Sequence, residues 1–194
     1  MITKQQIEDF YTNEGNVPST TQERVYSKAT SRKRKRAVEK MLAKEKVATF
    51  LEIGCAEGMY CEFMLKHAER VMGMDISLPK IQRAGSAREI RYVKGDWDAI
   101  PFSNGSFDLI LASECLEHSL DPSHVVREVF RVAHRAIFSV PIKEPKIADP
   151  MHHHTGHIHA FRPDTFKELF KDYKITDEYL DEETGFMVLE VINK

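Results

Sequence analysis

Hydrophobic positions along this chain switch repeatedly between two periods, and the order of the switches predicts the architecture. Val47-Ala-Thr-Phe-Leu-Glu-Ile53 is a short apolar run that ends in Gly54, the pattern of a buried strand. Glu57 to Ala68 then sets Tyr60, Phe63, Met64 and Leu65 at helical spacing. Arg70 to Met74 predicts a second strand stopped by Asp75, and Pro79 suits the start of the helix after it. Ile90 to Val93, Phe107 to Ala112 and Ala136 to Val140 predict three more strands, with a helix over Ser123 to Val132. A long loop after Pro141 leads to a helix over Pro163 to Asp172, and two strands follow, Tyr173 to Leu180 and Phe186 to Ile192. Ahead of this alternation lie a short helix over residues 4–11, a loop from Gly15 to Thr21, and a longer helix from about Gln22 to Lys46. Ala29, Ala37, Val38, Met41 and Leu42 give that longer helix an intermittent apolar face.

Strands alternating with helices build a parallel sheet covered on both faces. The last two strands are separated only by Asp181 to Gly185, too short for a parallel crossover, so they pair antiparallel. The expected fold is α/β: a doubly wound, mostly parallel seven-stranded sheet with an antiparallel C-terminal edge hairpin. The expected organisation is a single domain over 1–194, with 1–46 as an N-terminal helical cap and 47–194 as the core.

Composition adds little to this picture. At 194 residues, 42% hydrophobic and 30% charged, the chain has the make-up of an ordinary globular domain. It has no apolar run near the roughly 20 residues that span a bilayer, and its N-terminus lacks the apolar centre of a secretory signal. A cytoplasmic protein with no membrane partner is expected. Cys55, Cys61 and Cys115 follow no metal or disulfide spacing and read as free thiols. Net charge is −2, yet nine of the residues from Lys28 to Lys46 are Lys or Arg, centred on Arg32-Lys33-Arg34-Lys35-Arg36. That run reads as a solvated helix face or, alternatively, as a platform for RNA.

The first strand-to-helix turn reads Glu52-Ile-Gly54-Cys55-Ala56-Glu-Gly58. Small residues there let a ligand approach the backbone and meet helix N–H groups. Asp75 ends the second strand, where an acid can accept both hydroxyls of a ribose, and Asp96-Trp97 follows the third strand. Acids at successive carboxyl ends of a parallel sheet mark the edge where ligands bind.

These segments resemble the class I methyltransferases that use S-adenosylmethionine (SAM), in particular their type-11, ubiquinone-pathway-like group. The resemblance rests on Leu51 to Gly58, Val71 to Ser77, Gly95 to Phe102 with Ser106-Phe107-Asp108, and Ser113 to His118 with Asp121-Pro122. It implies a Rossmann-like methyltransferase fold, SAM as cofactor and S-adenosylhomocysteine (SAH) as product. By the same resemblance, Glu52, Gly54, Cys55, Ala56 and Gly58 shape the methionine pocket, Asp75 holds the ribose, and Ile76 packs on adenine. Asp96 and Trp97 flank the base, and Ser113 offers its backbone to the amino acid part. A dinucleotide dehydrogenase shares the first two features, but Asp96-Trp97 and Glu117-His118 are not part of its usual pattern. Ala133-His134-Arg135 stands where the family often has a proline-glycine turn.

The acceptor side is less defined. His118 and His157 are the expected catalytic residues. Glu114, Glu117, His118 and His157 resemble the ligand set of metal-requiring small-RNA 2′-O-methyltransferases, so a divalent metal is an alternative. His152, His153, His154 and His159 belong to the same histidine-rich run as His157. The N-terminal segment carrying Tyr11 and Tyr26 is expected to fold over the cofactor. The expected reaction is methyl transfer to a small-molecule acceptor, at oxygen, by a monomer or homodimer. The alternatives are a metal-assisted RNA 2′-O-methyltransferase and a catalytically silent SAM-binding regulator.

Overall fold

The computed structural model describes residues 2–13, 29–84, 89–143 and 156–194. Its elements in chain order are α1 (Lys4–Thr12), α2 (Ala29–Leu42), β1 (Val47–Ile53), α3 (Met59–Met64), β2 (Ala68–Asp75), α4 (Leu78–Arg83) and β3 (Ile90–Lys94). There follow β4 (Phe107–Ser113), α5 (Pro122–Val132), β5 (Ala133–Pro141), α6 (Pro163–Glu168), β6 (Lys174–Asp181) and β7 (Phe186–Ile192). Among the described residues the seven strands make one sheet in the order β3-β2-β1-β4-β5-β7-β6. All neighbours from β3 to β5 are parallel, and β7 runs antiparallel between β5 and β6. The expected doubly wound sheet with its antiparallel C-terminal hairpin is the observed one.

Two apolar layers flank the sheet. On one side Leu51, Ile53 and Ile110 pack with Val125, Val126 and Val129 of α5 and with Phe166 of α6. On the other, Phe50, Leu109 and Leu111 pack with Val38, Met41 and Leu42 of α2 and with Met64 of α3. Central strands therefore bury both faces, which is why β1 reads as a continuous apolar run. Each fully buried large side chain contributes ~1.5–3 kcal/mol. Thr49 and Asp108 stitch β1 to β4: Asp108 Oδ2 accepts from the Thr49 amide and hydroxyl at 2.8 and 2.9 Å.

Several boundaries differ from the sequence expectation for visible reasons. The helix expected from Glu57 to Ala68 is confined to Met59–Met64, because Gly58 stands in the left-handed region at its N-terminus. At its other end Ala68 already pairs with Val47, so β2 begins two residues before Arg70. Past Glu168 the expected helix tightens into three-residue turns, with amide bonds from Leu169 to Phe166 O and from Phe170 to Lys167 O. Of the long N-terminal helix, Ala29–Leu42 is observed, and Gln22 to Lys28, with Tyr26, lie outside the described residues. His152, His153 and His154 lie outside them too. No proline-glycine turn precedes β5: α5 passes at Ala133 straight into extended backbone. Among the described residues no helix is long and apolar enough to cross a membrane.

The β1–α3 turn is closely packed. Gly54, Ala56 and Gly58 all have positive φ, at 65°, 47° and 79°. A Cβ on Gly58 would stand 2.0 Å from the Tyr92 hydroxyl of β3 and 2.8 Å from its ring. Gly105 also has a positive φ, but nothing lies within 4 Å of its Cβ position. Gly58→Ala therefore adds overpacking of ~1–3 kcal/mol to backbone strain of ~1–3 kcal/mol. At ~2–4 °C per kcal/mol for a chain of this size, its Tm is expected to fall by roughly 10 °C, about twice the fall for Gly105→Ala. Thermal melts of both variants check this. Equal falls would show that Tyr92 yields without cost.

Candidate active site

A cavity of about 220 Å³ opens at the carboxyl ends of β1, β2 and β4. From β1 and its turn it is lined by Glu52, Gly54, Cys55 and Ala56, from the end of β2 by Asp75 and Ile76, and from the end of β4 by Ser113. Trp97 supplies an aromatic wall. Asp75 occupies the position that organises the floor. Its Oδ2 accepts the Ala56 amide and its Oδ1 the Ser77 amide, each at 2.8 Å. One carboxylate thus holds the strained residue of the turn in place and still keeps lone pairs for a ligand.

Glu52 is wholly buried beneath the same turn, with Oε2 accepting the Cys61 amide at 2.9 Å. Burial pushes its carboxyl up to about 8. Burial likewise raises the thiols of Cys55 and Cys115, which remain unreactive neutral groups. Gly58 does not touch the cavity; it shapes the turn from behind, against Tyr92.

The far wall comes from elements distant in sequence. Tyr11 of α1 lies 2.5 Å through its hydroxyl from His118 Nδ1, and the same ring atom lies 3.2 Å from the Gly156 carbonyl. Burial lowers His118 to about 3, so the ring is neutral at physiological pH. His157 packs edge-on against it at 4.6 Å between ring centres, without lining the cavity itself. Glu117, His118 and His157 each offer a donor atom, and these lie within 4.8 Å of one another. The loop holding them is fixed by the Glu117 carbonyl, which accepts the Ile158 and His159 amides at 2.7 and 3.0 Å.

Two expected residues are placed elsewhere. Glu114 does not join Glu117 and His118, because Leu116–His118 forms only one 3-10 turn and Glu114 precedes it with φ 54°. Its carboxylate is turned to Arg34 of α2 at 2.6 Å and to the Ser139 hydroxyl at 3.3 Å, on the cavity wall. Asp96 is not among the lining residues. Its carboxylate takes the Asp98 amide at 2.9 Å and the Lys4 ammonium at 3.2 Å, while its neighbour Trp97 faces the cavity.

Arg34, Lys80 and Tyr60 line the cavity although the sequence did not single them out as site residues. A signal for Arg34 was present, since it stands four residues before Val38 and seven before Met41, on the inward face of α2. The remaining basic cluster is partly neutralised within the molecule. Lys33 pairs with Glu183 at 2.7 Å, Lys35 with Glu39 at 3.7 Å and Lys44 with Asp177 at 2.7 Å, and Lys44 also meets Glu190. Among the described residues Arg32, Arg36, Lys40 and Lys46 remain without an ion-pair partner, the only part of the helix 28–46 left for an RNA platform.

Residues 51–136 match the sequence profile of a methyltransferase domain. Over that stretch the chain is similar to the class I SAM-dependent methyltransferases of the type-11 group. Norajmaline N-methyltransferase of Rauvolfia serpentina is 31% identical over 97 residues, covering 46% of this chain and 33% of that protein. The chain thus spans about a third of the length of the curated relatives it matches. N-methyltransferase NodS of Bradyrhizobium japonicum, solved in complex with SAH, superposes with a TM-score of 0.72 at 20% identity, over 96% of this chain and 98% of that one. A Haloferax volcanii methyltransferase, solved in complex with the activator Trm112, superposes at 0.73 with 15% identity, over 96% of each chain. At these identities the superpositions establish the fold.

Glu52 carries a testable pH signature. Its carboxyl rises from 4.5 to about 8 on folding, so between those values the folded protein holds a proton that the unfolded chain has released. Its contribution therefore lowers stability as pH rises through this window. A bound amino group beside Glu52 favours the ionised carboxylate, so SAH binding at pH 7 is expected to release a proton. Calorimetry in buffers of different ionisation enthalpy measures it. A binding heat independent of buffer, or release unchanged in Glu52→Gln, would refute the assignment.

Proposed function

We propose that this chain transfers the methyl group of SAM to a heteroatom of a small-molecule acceptor, with oxygen as the expected nucleophile. One observation carries the reading: Glu52, Gly54, Asp75, Trp97 and Ser113 line a single cavity at the carboxyl edge of the parallel strands. The names of the N-methyltransferase relatives favour nitrogen as the second choice of atom.

Methyl transfer from a sulfonium is an in-line displacement. The acceptor's lone pair forms the bond to carbon as the carbon–sulfur bond breaks, SAH departs, and the heteroatom proton passes to a base or to water. Alignment of the two partners is the main task of the site, and orientation alone can remove ~7–11 kcal/mol of barrier. Asp75 is placed to accept ribose hydroxyls, the turn to hold the amino acid part, and Trp97 to cover the base. The neutral His118 ring stands on the cavity wall as a hydrogen-bonding group for the acceptor, held by Tyr11. We read residues 1–46 as a cap on the core, since Tyr11 and Arg34 close the cavity from outside it.

A divalent metal is a second reading of the acceptor side, favoured by the Glu117, His118 and His157 cluster. One carboxylate and two imidazoles suit zinc, manganese or iron. When bound, such an ion would act as a Lewis acid on the acceptor oxygen. A resident metal is expected to raise Tm on addition of Zn²⁺ or Mn²⁺ to chelator-treated protein, and the rise is expected to vanish in His157→Ala. No shift in the wild type removes the metal from the mechanism.

The cofactor assignment is tested directly by calorimetry with SAH. A single site is expected, abolished by Gly54→Arg. Loss of hydrogen bonds to a charged acceptor costs ~1.5–3 kcal/mol, so Asp75→Ala should weaken binding about 10- to 100-fold. No heat with the wild-type chain would overturn the reading, and turnover of labelled SAM in a cell extract would then identify nothing.

A further inference from the structure

Lys80 is the cation of the cavity wall that has no ion-pair contact among the described residues. It is half-buried on α4, five residues after Asp75, and it lines the cavity beside Tyr11 and His118. Among the described residues no carboxylate oxygen lies within ion-pairing distance of it and no hydrogen bond satisfies it. Its one close partner is the Tyr11 ring, whose centre lies 4.9 Å from the ammonium. The other lining cation, Arg34, is held by Glu114 at 2.6 Å. The nearest acids are already engaged. Asp75 accepts the Ala56 and Ser77 amides, and Glu57 accepts from Arg83 at 3.2 Å.

Asp75 and Glu57 act on Lys80 through space, but its loss of water outweighs their pull; such burial is costly, and an apolar side chain at position 80 would avoid the cost. The cost is recovered when a ligand supplies the missing negative charge, because a charge-assisted hydrogen bond in a closed site is stronger than one in water. SAM has one anionic group, the carboxylate of its amino acid part, and on the reading above that part lies at the turn and Ser113, its ribose at Asp75, while Lys80 lines the cavity beside Tyr11 and His118.

We propose that Lys80 anchors an oxyanion of the methyl acceptor, so that the acceptor is a small carboxylic acid or phosphate ester. This rests on the methyltransferase reading and names its substrate class. Burial also pulls the Lys80 ammonium below its ordinary range, as expected of a charge awaiting a partner. The competing explanation is that Lys80 offsets Asp75 for the benefit of the cofactor.

The test uses the full chain saturated with SAH at fixed ionic strength. Benzoate, phenyl phosphate and neutral benzamide are titrated separately by calorimetry. At least one of the two anions is expected to bind, and benzamide at least tenfold more weakly. Lys80→Met should lose at least tenfold in anion affinity with SAH affinity kept within twofold, and Lys80→Arg should retain anion binding. Preference for benzoate identifies an acid acceptor, and preference for phenyl phosphate a phosphorylated one. The proposal falls if neither anion binds the SAH complex, if Lys80→Met binds them unchanged, or if that variant loses SAH affinity tenfold instead. Failure of the wild type to bind SAH at all is a separate result, which removes the cofactor reading and the acceptor assignment with it. Melts of both variants confirm folding.

Discussion

The hydrogen bond from the Ala56 amide to Asp75 joins the two halves of the site, and the rest of the cavity is arranged around it. A turn with positive φ at alternate residues is a poor conformation for a chain that is not all glycine, and Ala56 takes it at φ 47°. The carboxylate at the end of β2 stabilises that conformation and is in turn fixed by the Ser77 amide. The parallel register Ile53↔Met74 brings the two strand ends level, so the bond forms without distortion of the sheet. A single acid therefore aims the backbone of one strand end and presents its remaining lone pairs to the space between them.

Electrostatics sorts the cavity into regions. Around the turn the ionisable groups are driven neutral by burial: Glu52 gains a proton, and Cys55 and Cys115 keep theirs. At the outer wall His118 has lost its proton and Tyr11 holds its own. Charge survives only where it is paired, as in Arg34–Glu114, or where the cavity is open enough for a ligand to reach it, as at Asp75 and Lys80. Glu114 sits in a left-handed conformation that a glutamate rarely adopts, held by its ion pair and by the Ser139 amide carbonyl bond to its own N–H at 2.9 Å. That conformation leaves Glu114 and Ser113 side by side on the cavity wall.

The strand core was legible in the sequence because burial on two faces leaves unbroken apolar runs, and Phe186 to Ile192 was placed to the residue. Helix ends were less legible. Met59–Met64 is short because Tyr92, thirty-odd positions downstream, decides where Gly58 must turn, and nothing local reports that contact. The site divides in the same way. Glu52, Gly54, Asp75, Trp97 and Ser113 sit at strand ends, whose position follows from topology alone, and all of them line the cavity. Asp96 was drawn aside by Lys4 and Glu114 by Arg34, charges that lie 92 and 80 positions away. Sequence spacing carries no information about such partners. The basic run is similar, for the counter-charges of Lys33 and Lys44 sit in the acidic C-terminal hairpin, far along the chain.

The wall opposite the turn is built from weaker attachments than the floor. α1 has nine residues, too few to be helical by propensity alone, and its buried residues are only Ile7 and Phe10. Its links to the core are largely surface ion pairs, Lys4–Asp98 at 2.8 Å and Glu8–Lys94 at 2.5 Å, each contributing ~0–1 kcal/mol. What fixes its angle is steric. A Cβ on Gly156 would stand 2.7 Å from the Phe10 ring and 2.8 Å from the Tyr11 hydroxyl, so the chain entering from the late loop must pass as glycine directly beneath α1. The Gly156 carbonyl and the Tyr11 hydroxyl then converge on the same nitrogen of His118. The floor is held by strand register and the wall by a few weak contacts, so local opening reaches the wall before the floor.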